Sequence, residues 1–109
     1  MQSHLNTVQA AIDRHRQMVA IDECCFDENG TAFDTDTAAK AMEAEVLAFL
    51  DFCAFPCNDE TDVQAKVDYV ISGTVGQREP LIECLFDEAY GGIATQGIFL
   101  RSLQTTGAK

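Results

Sequence analysis

Two cysteines near the middle of the chain, in the stretch Cys53-Ala-Phe-Pro-Cys57, come nearest to a reactive motif. A zinc knuckle or a thioredoxin-like redox pair has two residues between its cysteines, whereas three stand here, and no second pair matches. The cysteines at the predicted turn between the first two helices fall roughly 20 Å away. The spacing therefore predicts that Cys53 belongs to the core, that Phe55 plugs it and that Pro56 stops a helix.

The acidic stretch over residues 25–36 partly matches a calcium-binding EF-hand loop. With Gly30 at the glycine position of the loop, Asp27, Asn29 and Asp36 fall on the third, fifth and twelfth ligand positions. The first position holds a cysteine and the ninth a phenylalanine, which supply no oxygen ligand. The pattern is typical of a solvated acidic turn that carries a helix N-cap, and we predict no metal or other cofactor.

His15 is the other candidate for chemistry, because it lies on the apolar stripe of the first helix with Asp22 one heptad further on. That separation is about 10.5 Å along the helix axis, too long for a hydrogen bond, so no catalytic dyad is predicted. We expect His15 to be hydrogen-bonded within the packed interface, and His4 to lie near a frayed terminus. The usual motifs of nucleotide-binding, hydrolytic and di-iron proteins do not occur in the sequence, so nothing supports an enzyme.

Apolar residues recur every three or four positions in the first half of the chain, which predicts two long helices. Asn29-Gly30 supplies a stop between them, and residues 34–37 offer N-caps for the second. Two such helices with a short polar connection are expected to pack as an antiparallel hairpin. The first stripe comprises Leu5, Val8, Ile12, His15, Val19, Asp22 and Phe26, and the second comprises Ala39, Met42, Val46, Phe49 and Cys53.

Two further helices are predicted in the second half. Thr61 and Gln64 have the spacing of a capping box, and a stripe of valines and Ile71 follows until Gly73. Pro80 is expected to open a fourth helix that a pair of glycines closes.

The apolar run within residues 93–103 fits either a short terminal helix or an extended segment. The fold class we predict is all-α: a small helical bundle of four to five helices, built on a long antiparallel helical hairpin. Residues 1–109 are expected to form a single helical domain, because that length is close to the commonest domain size.

The formal net charge of −11 is concentrated in one segment. Between Asp22 and Asp62 lie twelve of the eighteen acidic residues, against one basic residue, Lys40. Such a field repels nucleic acid and anionic lipid and favours a basic partner, so we expect no direct binding of nucleic acid. The candidate acidic interaction surface consists of Asp22, Glu23, Asp27, Glu28, Asp34, Asp36, Glu43, Glu45, Asp51, Asp59, Glu60 and Asp62.

Neither a membrane span nor an export signal is evident in the sequence. No apolar run approaches the ~18 residues that a transmembrane helix needs. The five cysteines are odd in number and irregular in spacing, which favours free thiols over a disulfide framework. We therefore expect a soluble cytoplasmic protein.

Three segments give the chain a recognisable layout: Arg14-His-Arg16, then Phe52-Cys-Ala-Phe-Pro56, and then Asp62-Val-Gln-Ala-Lys-Val-Asp-Tyr-Val70. Over about residues 8 to 71 this layout resembles small uncharacterised helical proteins of alphaproteobacteria, often from prophage-like regions. The resemblance implies a bacterial or phage cytoplasmic setting and brings no activity with it.

We therefore predict a non-enzymatic acidic helical protein that acts through protein-protein interaction or homo-oligomerisation, with a dimer as the expected form. One alternative is an acidic inhibitor of the phage anti-defence type, which mimics nucleic acid and binds a basic site on another protein. A second alternative is a metal- or thiol-dependent activity. The surplus of aromatic residues that suggests a face in need of a partner comprises Phe26, Phe33, Phe55, Tyr69, Phe86, Tyr90 and Phe99.

Overall fold

The computed structural model describes residues 7–73 and 81–104, and over these ranges the protein is all-α. An isolated bridge between Phe26 and Ala32 is the β-type pairing found there. No helix in the described ranges is long and apolar enough to cross a membrane. The elements are α1 (Val8–Glu23), α2 (Thr35–Ala54), α3 (Glu60–Ser72), the 3₁₀-helices η1 (Leu81–Phe86) and η2 (Glu88–Tyr90), and α4 (Ile93–Ser102).

Several expectations lie outside the described residues. They concern His4 and Leu5 at the start of the chain, Gly76 and Pro80 before the fourth helix, and the last five residues.

Helix α1 buries the stripe that the sequence predicts. Its N-cap is Thr7, whose Oγ1 accepts a hydrogen bond from the backbone N–H of Ala10 at 3.0 Å. The helix ends at Glu23, so Phe26 lies beyond it. Its buried residues are Val8, Ala11, Ile12, His15, Val19 and Asp22.

The turn between α1 and α2 is organised by Asp27. Its Oδ1 accepts hydrogen bonds from the backbone N–H groups of Asn29 at 2.8 Å and Thr31 at 2.9 Å. Gly30 adopts the left-handed conformation, with φ of 81°, that a glycine takes at little cost. The backbone N–H of Phe33 then donates to the carbonyl of Cys25 at 2.9 Å, which closes the turn.

Helix α2 starts at the N-cap Asp34 and ends at Ala54, just before Pro56, as predicted. Its buried face is rotated from the predicted one, because Ala39 and Met42 are exposed. The residues that are buried are Ala38, Ala41, Glu45, Ala48, Phe49, Phe52 and Cys53. The small alanines of this line let α2 pack closely, and Glu45 lies among them as a buried carboxylate.

Helix α3 is capped two residues earlier than predicted, at Asp59 instead of Thr61. Asp59 accepts from the backbone N–H of Asp62 at 3.0 Å, and the Asp62 carboxylate accepts from that of Asn58 at 2.9 Å. Asp59 and Asp62 therefore cap the start of α3 in place of the capping box expected for Thr61 and Gln64, with the back-bond made to Asn58 instead of to the N-cap residue.

The predicted fourth α-helix is instead a pair of 3₁₀-helices, and the ambiguous segment after it is α4. Asp87 accepts from the backbone N–H of Ala89 at 2.9 Å and separates η1 from η2. Gly91 and Gly92 follow with φ of 100° and 58°, which turns the chain into α4. This interruption brings Tyr90 into the core, where its hydroxyl meets Glu45.

Two phenylalanines of α2, Phe49 and Phe52, lie fully buried at the centre of the core. Phe52 packs edge-on against Tyr69 of α3, with ring centroids 5.2 Å apart, and lies 6.3 Å from Phe99 of α4. Phe49 packs edge-on against Tyr90 at 5.2 Å. One aromatic cluster therefore joins α2 to α3, η2 and α4.

Candidate functional site

The interior holds a chain of hydrogen bonds centred on His15. Its Nε2 lies 2.7 Å from Glu45 Oε2, and its Nδ1 lies 2.7 Å from the hydroxyl oxygen of Tyr69. Tyr90 donates its hydroxyl proton to the other carboxylate oxygen, Glu45 Oε1, at 2.6 Å. Since the four residues belong to α1, α2, α3 and η2, this chain, which we call the His15 network, ties four elements together.

The partners of His15 indicate where its proton lies. A carboxylate oxygen can only accept, so Nε2 carries a proton and donates to Glu45. A neutral ring accepts the hydroxyl proton of Tyr69 at Nδ1, and a protonated ring donates from Nδ1 to the hydroxyl oxygen of Tyr69. Each hydrogen bond of the network thus has one donor and one acceptor, which is what a buried polar group requires.

The network is closed to solvent along most of its length. His15 is 0% and Glu45 1% exposed, and Tyr69 and Tyr90 are also buried. Burial raises the pKa of Tyr69 to about 12, and the guanidinium of Arg16 nearby only partly opposes that shift. A tyrosine so hard to ionise makes a poor nucleophile or base near neutral pH.

One shallow groove between α1 and α3 reaches the edge of this network. It encloses about 240 Å³ and has Tyr69, Arg16 and Asp68 in its wall. Arg16 lies over the Tyr69 ring, 5.2 Å from its centroid. The groove is smaller than most ligand pockets and holds charges of both signs, so it does not select one class of ligand.

The expectation that His15 is hydrogen-bonded within the core is confirmed. Its partners come from other helices and lie 30 and 54 residues away in sequence. Periodicity places His15 on the buried stripe but says nothing about which residues of other elements face it. The sequence held one indication that Glu45 is buried, because Glu45 falls on the same face of α2 as the buried alanines.

A second buried polar group is Lys66 of α3, whose side chain is fully buried. Its ammonium donates to the carbonyls of Cys53 at 2.9 Å and Phe55 at 2.8 Å, and to Ser102 Oγ at 2.5 Å. It therefore satisfies carbonyls at the C-terminal end of α2 and fastens α4 beside them. Burial lowers the pKa of Lys66 to about 8, against the smaller opposing influence of Cys57 and Cys53.

The cysteines of the central stretch lie in the core. Cys53 and Cys57 are both buried, and burial raises the pKa of the Cys53 thiol to about 12. Burial also raises the pKa of Cys57. A buried thiol with a raised pKa is a poor nucleophile, and Phe55 packs against the core as predicted.

Potential metal ligands do not converge in the described parts of the chain. Residues 7–73 and 81–104 contain no group of three His, Cys, Asp or Glu side chains placed to hold an ion. Asp27 of the EF-hand-like loop is occupied by backbone N–H groups, and Asp34 by Thr37. Those hydrogen bonds from Thr37 lower the pKa of the Asp34 carboxyl.

The candidate acidic surface needs a correction. Glu45 and Asp22 are buried, so they do not belong to a surface. Asp27 and Asp62 are half-buried and hold backbone N–H groups. Eight of the twelve predicted residues are exposed: Glu23, Glu28, Asp34, Asp36, Glu43, Asp51, Asp59 and Glu60.

The aromatic residues predicted to form a partner-seeking face are mostly internal. Tyr69, Tyr90 and Phe99 are buried, whereas Phe33 and Phe86 are exposed. Exposed apolar side chains also lie on other elements, such as Leu47 of α2 and Ile71 of α3, and one exposed surface, in a segment that the sequence pattern assigned to neither helix nor strand, lies on α4. We call it the α4 outer face; it comprises Ile93, Ala94, Gly97, Leu100 and Arg101, which share one side of the helix opposite the buried Thr95, Phe99 and Ser102.

The exposures on this face are large for apolar side chains. Ile93 is 82% and Leu100 63% exposed. Phe86 of η1 is also exposed, and it follows Leu85, whose carbonyl accepts from Gln96 of α4 at 2.7 Å. Comparison of the chain with protein-family models, with curated proteins and with solved structures finds no match.

Proposed function

We propose that the protein acts without catalysis, by binding another protein through the α4 outer face. The observation that carries this proposal is the pair of exposed branched side chains, Ile93 and Leu100, on the same side of one helix. Each would lose its contact with water in an interface, and contiguous exposed apolar surface commonly marks such a site. The buried His15 network, in contrast, offers no reacting group to a substrate.

We also propose that α1 and α2 form an antiparallel hairpin that supports the other helices as a bundle. Two contacts support this arrangement. The turn closes between Cys25 and Phe33, and His15 meets Glu45 at about equal distances along the chain from that turn. The hairpin would present α4 on one side of the core through Phe52 and Phe99.

Size-exclusion chromatography with light scattering tests the interaction surface. Leu100→Glu places a charge on the α4 outer face, whereas Leu47→Glu places the same charge on α2, where Leu47 is 53% exposed. We expect wild type and Leu47→Glu to associate and Leu100→Glu to stay monomeric.

If none of the three proteins self-associates, a pull-down from bacterial lysate extends the test to other partners. A protein retained by wild type and Leu47→Glu but lost with Leu100→Glu would fit the proposal. The absence of any binding that depends on Leu100 would refute it.

A second candidate function is the acidic inhibitor that occupies a basic site on another protein. Its support is the set of eight exposed acidic residues, which extends from the end of α1 to the start of α3. Salt distinguishes the two candidates. Binding of a basic target should weaken as salt screens the charges, whereas contact through an apolar face should persist.

A further inference from the structure

We infer that the protein bound by the α4 outer face is a second copy of this chain, in a two-fold symmetric dimer whose α4 helices cross antiparallel at Gly97. This inference rests on the proposed function and names its partner. The argument combines the distribution of charge, the shape of the face at Gly97 and the placement of one acidic and one basic side chain.

The distribution of charge favours contact at α4. The net charge of −11 lies between Asp22 and Asp62, so two copies repel each other most strongly where these segments approach. From Gly91 to Gln104 the chain contains no acidic residue and one basic residue, Arg101. The α4 outer face is therefore a place where two copies can meet with little repulsion.

The shape of the face allows two helices to approach closely. Gly97 lies between Ile93 and Leu100, one turn from each, so its missing side chain leaves a shallow recess between two large ones. The Arg101 side chain covers this recess, because a β-carbon built on Gly97 would lie 3.2 Å from its guanidinium nitrogen Nη1. When a second α4 packs there, Arg101 has to swing aside toward a new position.

Glu88 marks that position. It precedes α4, and a β-carbon built on Gly92 would lie 2.9 Å from Glu88 Oε2, so its carboxylate lies at the start of the helix. At about 1.5 Å rise per residue, Gly92 lies roughly 7.5 Å before Gly97 and Arg101 about 6 Å after it. An antiparallel crossing at Gly97 therefore brings Arg101 of one copy to the level of Glu88 of the other.

Both charges are available for such a pair. Within the described ranges, neither Arg101 nor Glu88 lies at ion-pair distance from an opposite charge. A two-fold axis at Gly97 creates the pair twice, since the same patch serves both copies. A parallel crossing would instead set Arg101 against Arg101, so the charges select the antiparallel arrangement.

The dimer is expected to be weak. Helix α4 has ten residues, so the contact is about 15 Å long and belongs to the smallest class of specific interfaces. We expect a dissociation constant on the order of tens of micromolar. Added salt screens the repulsion between the two copies and also the two Arg101–Glu88 pairs, so these effects oppose each other and we expect the dissociation constant to change little.

Charge reversal tests the arrangement by sedimentation equilibrium up to about 500 µM, well above the expected dissociation constant. Arg101→Glu and Glu88→Arg each place like charges together, and the double variant restores opposite charges. We expect each single variant to weaken the dimer about tenfold and the double variant to return within about threefold of wild type.

Matched controls separate the pair from the change in net charge. Arg14→Glu on α1 and Glu43→Arg on α2 alter the net charge by the same two units at exposed positions away from α4. They should change the dissociation constant by less than about threefold, which is less than about half of the 1.4 kcal/mol that a tenfold change represents.

Three outcomes would overturn the inference, and they separate it from the proposed function. A monomer at all concentrations in low and high salt would rule out the dimer, and binding of another protein through Leu100 would then still uphold the function. If Leu100→Glu abolishes the dimer but the double variant Arg101→Glu/Glu88→Arg does not restore it, the α4 outer face is the interface and the antiparallel crossing is rejected. Association insensitive to Leu100→Glu would reject both.

Discussion

The centre of the molecule and the outside of α4 reverse the usual distribution of polar and apolar groups. Around His15 the interior encloses an imidazole, a carboxylate and two phenol hydroxyls, whereas α4 exposes Ile93 and Leu100. In most domains, charged side chains are at the surface and large aliphatic ones are inside.

The two regions differ in whether their unusual groups find partners. In the interior, Glu45 accepts from His15 and from Tyr90, and Lys66 donates to three oxygens. On α4, Leu100 and Ile93 face away from the core that Phe99 enters. The first region is complete within one chain, and the second gains its contacts only from another molecule.

The largest expected loss of stability comes from a substitution in the His15 network. Glu45→Ala leaves His15 and the hydroxyl of Tyr90 buried without their acceptor, so we expect the free energy of unfolding to fall by about 3 to 5 kcal/mol. Urea denaturation measures the loss. Glu43→Ala, at an exposed position on the same helix, should change stability by less than about 0.5 kcal/mol. A loss below about 1 kcal/mol for Glu45→Ala would show that the network adds little to stability.

Lys66→Met tests how much the buried ammonium of Lys66 contributes to stability and how that contribution depends on pH. Removing the donor to two carbonyls should cost about 1 to 3 kcal/mol at pH 7. Because the pKa of Lys66 is about 8 when folded and 10.5 in the reference state, the unfolded chain binds more protons between these values. Stability of the wild type relative to Lys66→Met should therefore rise from pH 8 towards pH 10.

Denaturation of both proteins across that pH range checks this sign. The raised pKa of Tyr69 affects both proteins alike, whereas the ammonium of Lys66 lowers the pKa values of Cys53 and Cys57, so the difference between the two proteins reports Lys66 together with these two thiols. A difference that stays flat or falls above pH 8 would contradict a depressed pKa for Lys66.

Asp59→Ala tests whether an acidic residue of the segment between Asp22 and Asp62 stabilises the fold. Asp59 caps α3, so its loss should lower the free energy of unfolding by about 1 kcal/mol. Asp51→Ala, which removes an exposed charge within α2, serves as the matched control and should have a smaller effect. Equal effects of the two would show that Asp59 contributes only its charge.

The smallest expected effect belongs to the exposed Leu100 of α4. Leu100→Ser should change the stability of the monomer by at most about 0.5 kcal/mol, since that side chain is exposed. Phe99→Ala, one residue earlier, should cost about 3 to 5 kcal/mol because Phe99 is buried against Phe52. Thermal or urea unfolding at low concentration measures both. A large loss for Leu100→Ser would mean that Leu100 already has contacts within the chain.

The sequence predicted the parts of the fold that depend on short-range spacing. The stripe of α1, the end of α2 before Pro56 and an N-cap of α2 within residues 34–37 all follow from residues within one or two turns. The face of α2 was misplaced because Glu45 was counted as polar and hence external. Similarly, Lys66 stands three residues after Val63 and four before Val70, on the buried side of α3, although its charge suggested the opposite.

The candidate sites could not be predicted in the same way, because they depend on contacts between distant parts of the chain. Tyr69 and Tyr90 reach His15 and Glu45 across more than forty residues. Periodicity likewise could not tell a helix from a strand over residues 98–100, and therefore could not identify the outward side of α4. Only the position of Phe99 in the core shows which side is left exposed.

The most direct test of the claim that α4 is the association surface is a dilution series followed by two-dimensional ¹H–¹⁵N NMR. Between about 500 and 20 µM, a range that spans the expected dissociation constant, we expect amide shifts to change for residues 86–101 and to stay constant in α1 and in the turn at Asp27. Spectra that do not depend on concentration, or changes concentrated between Asp22 and Asp62, would contradict the account.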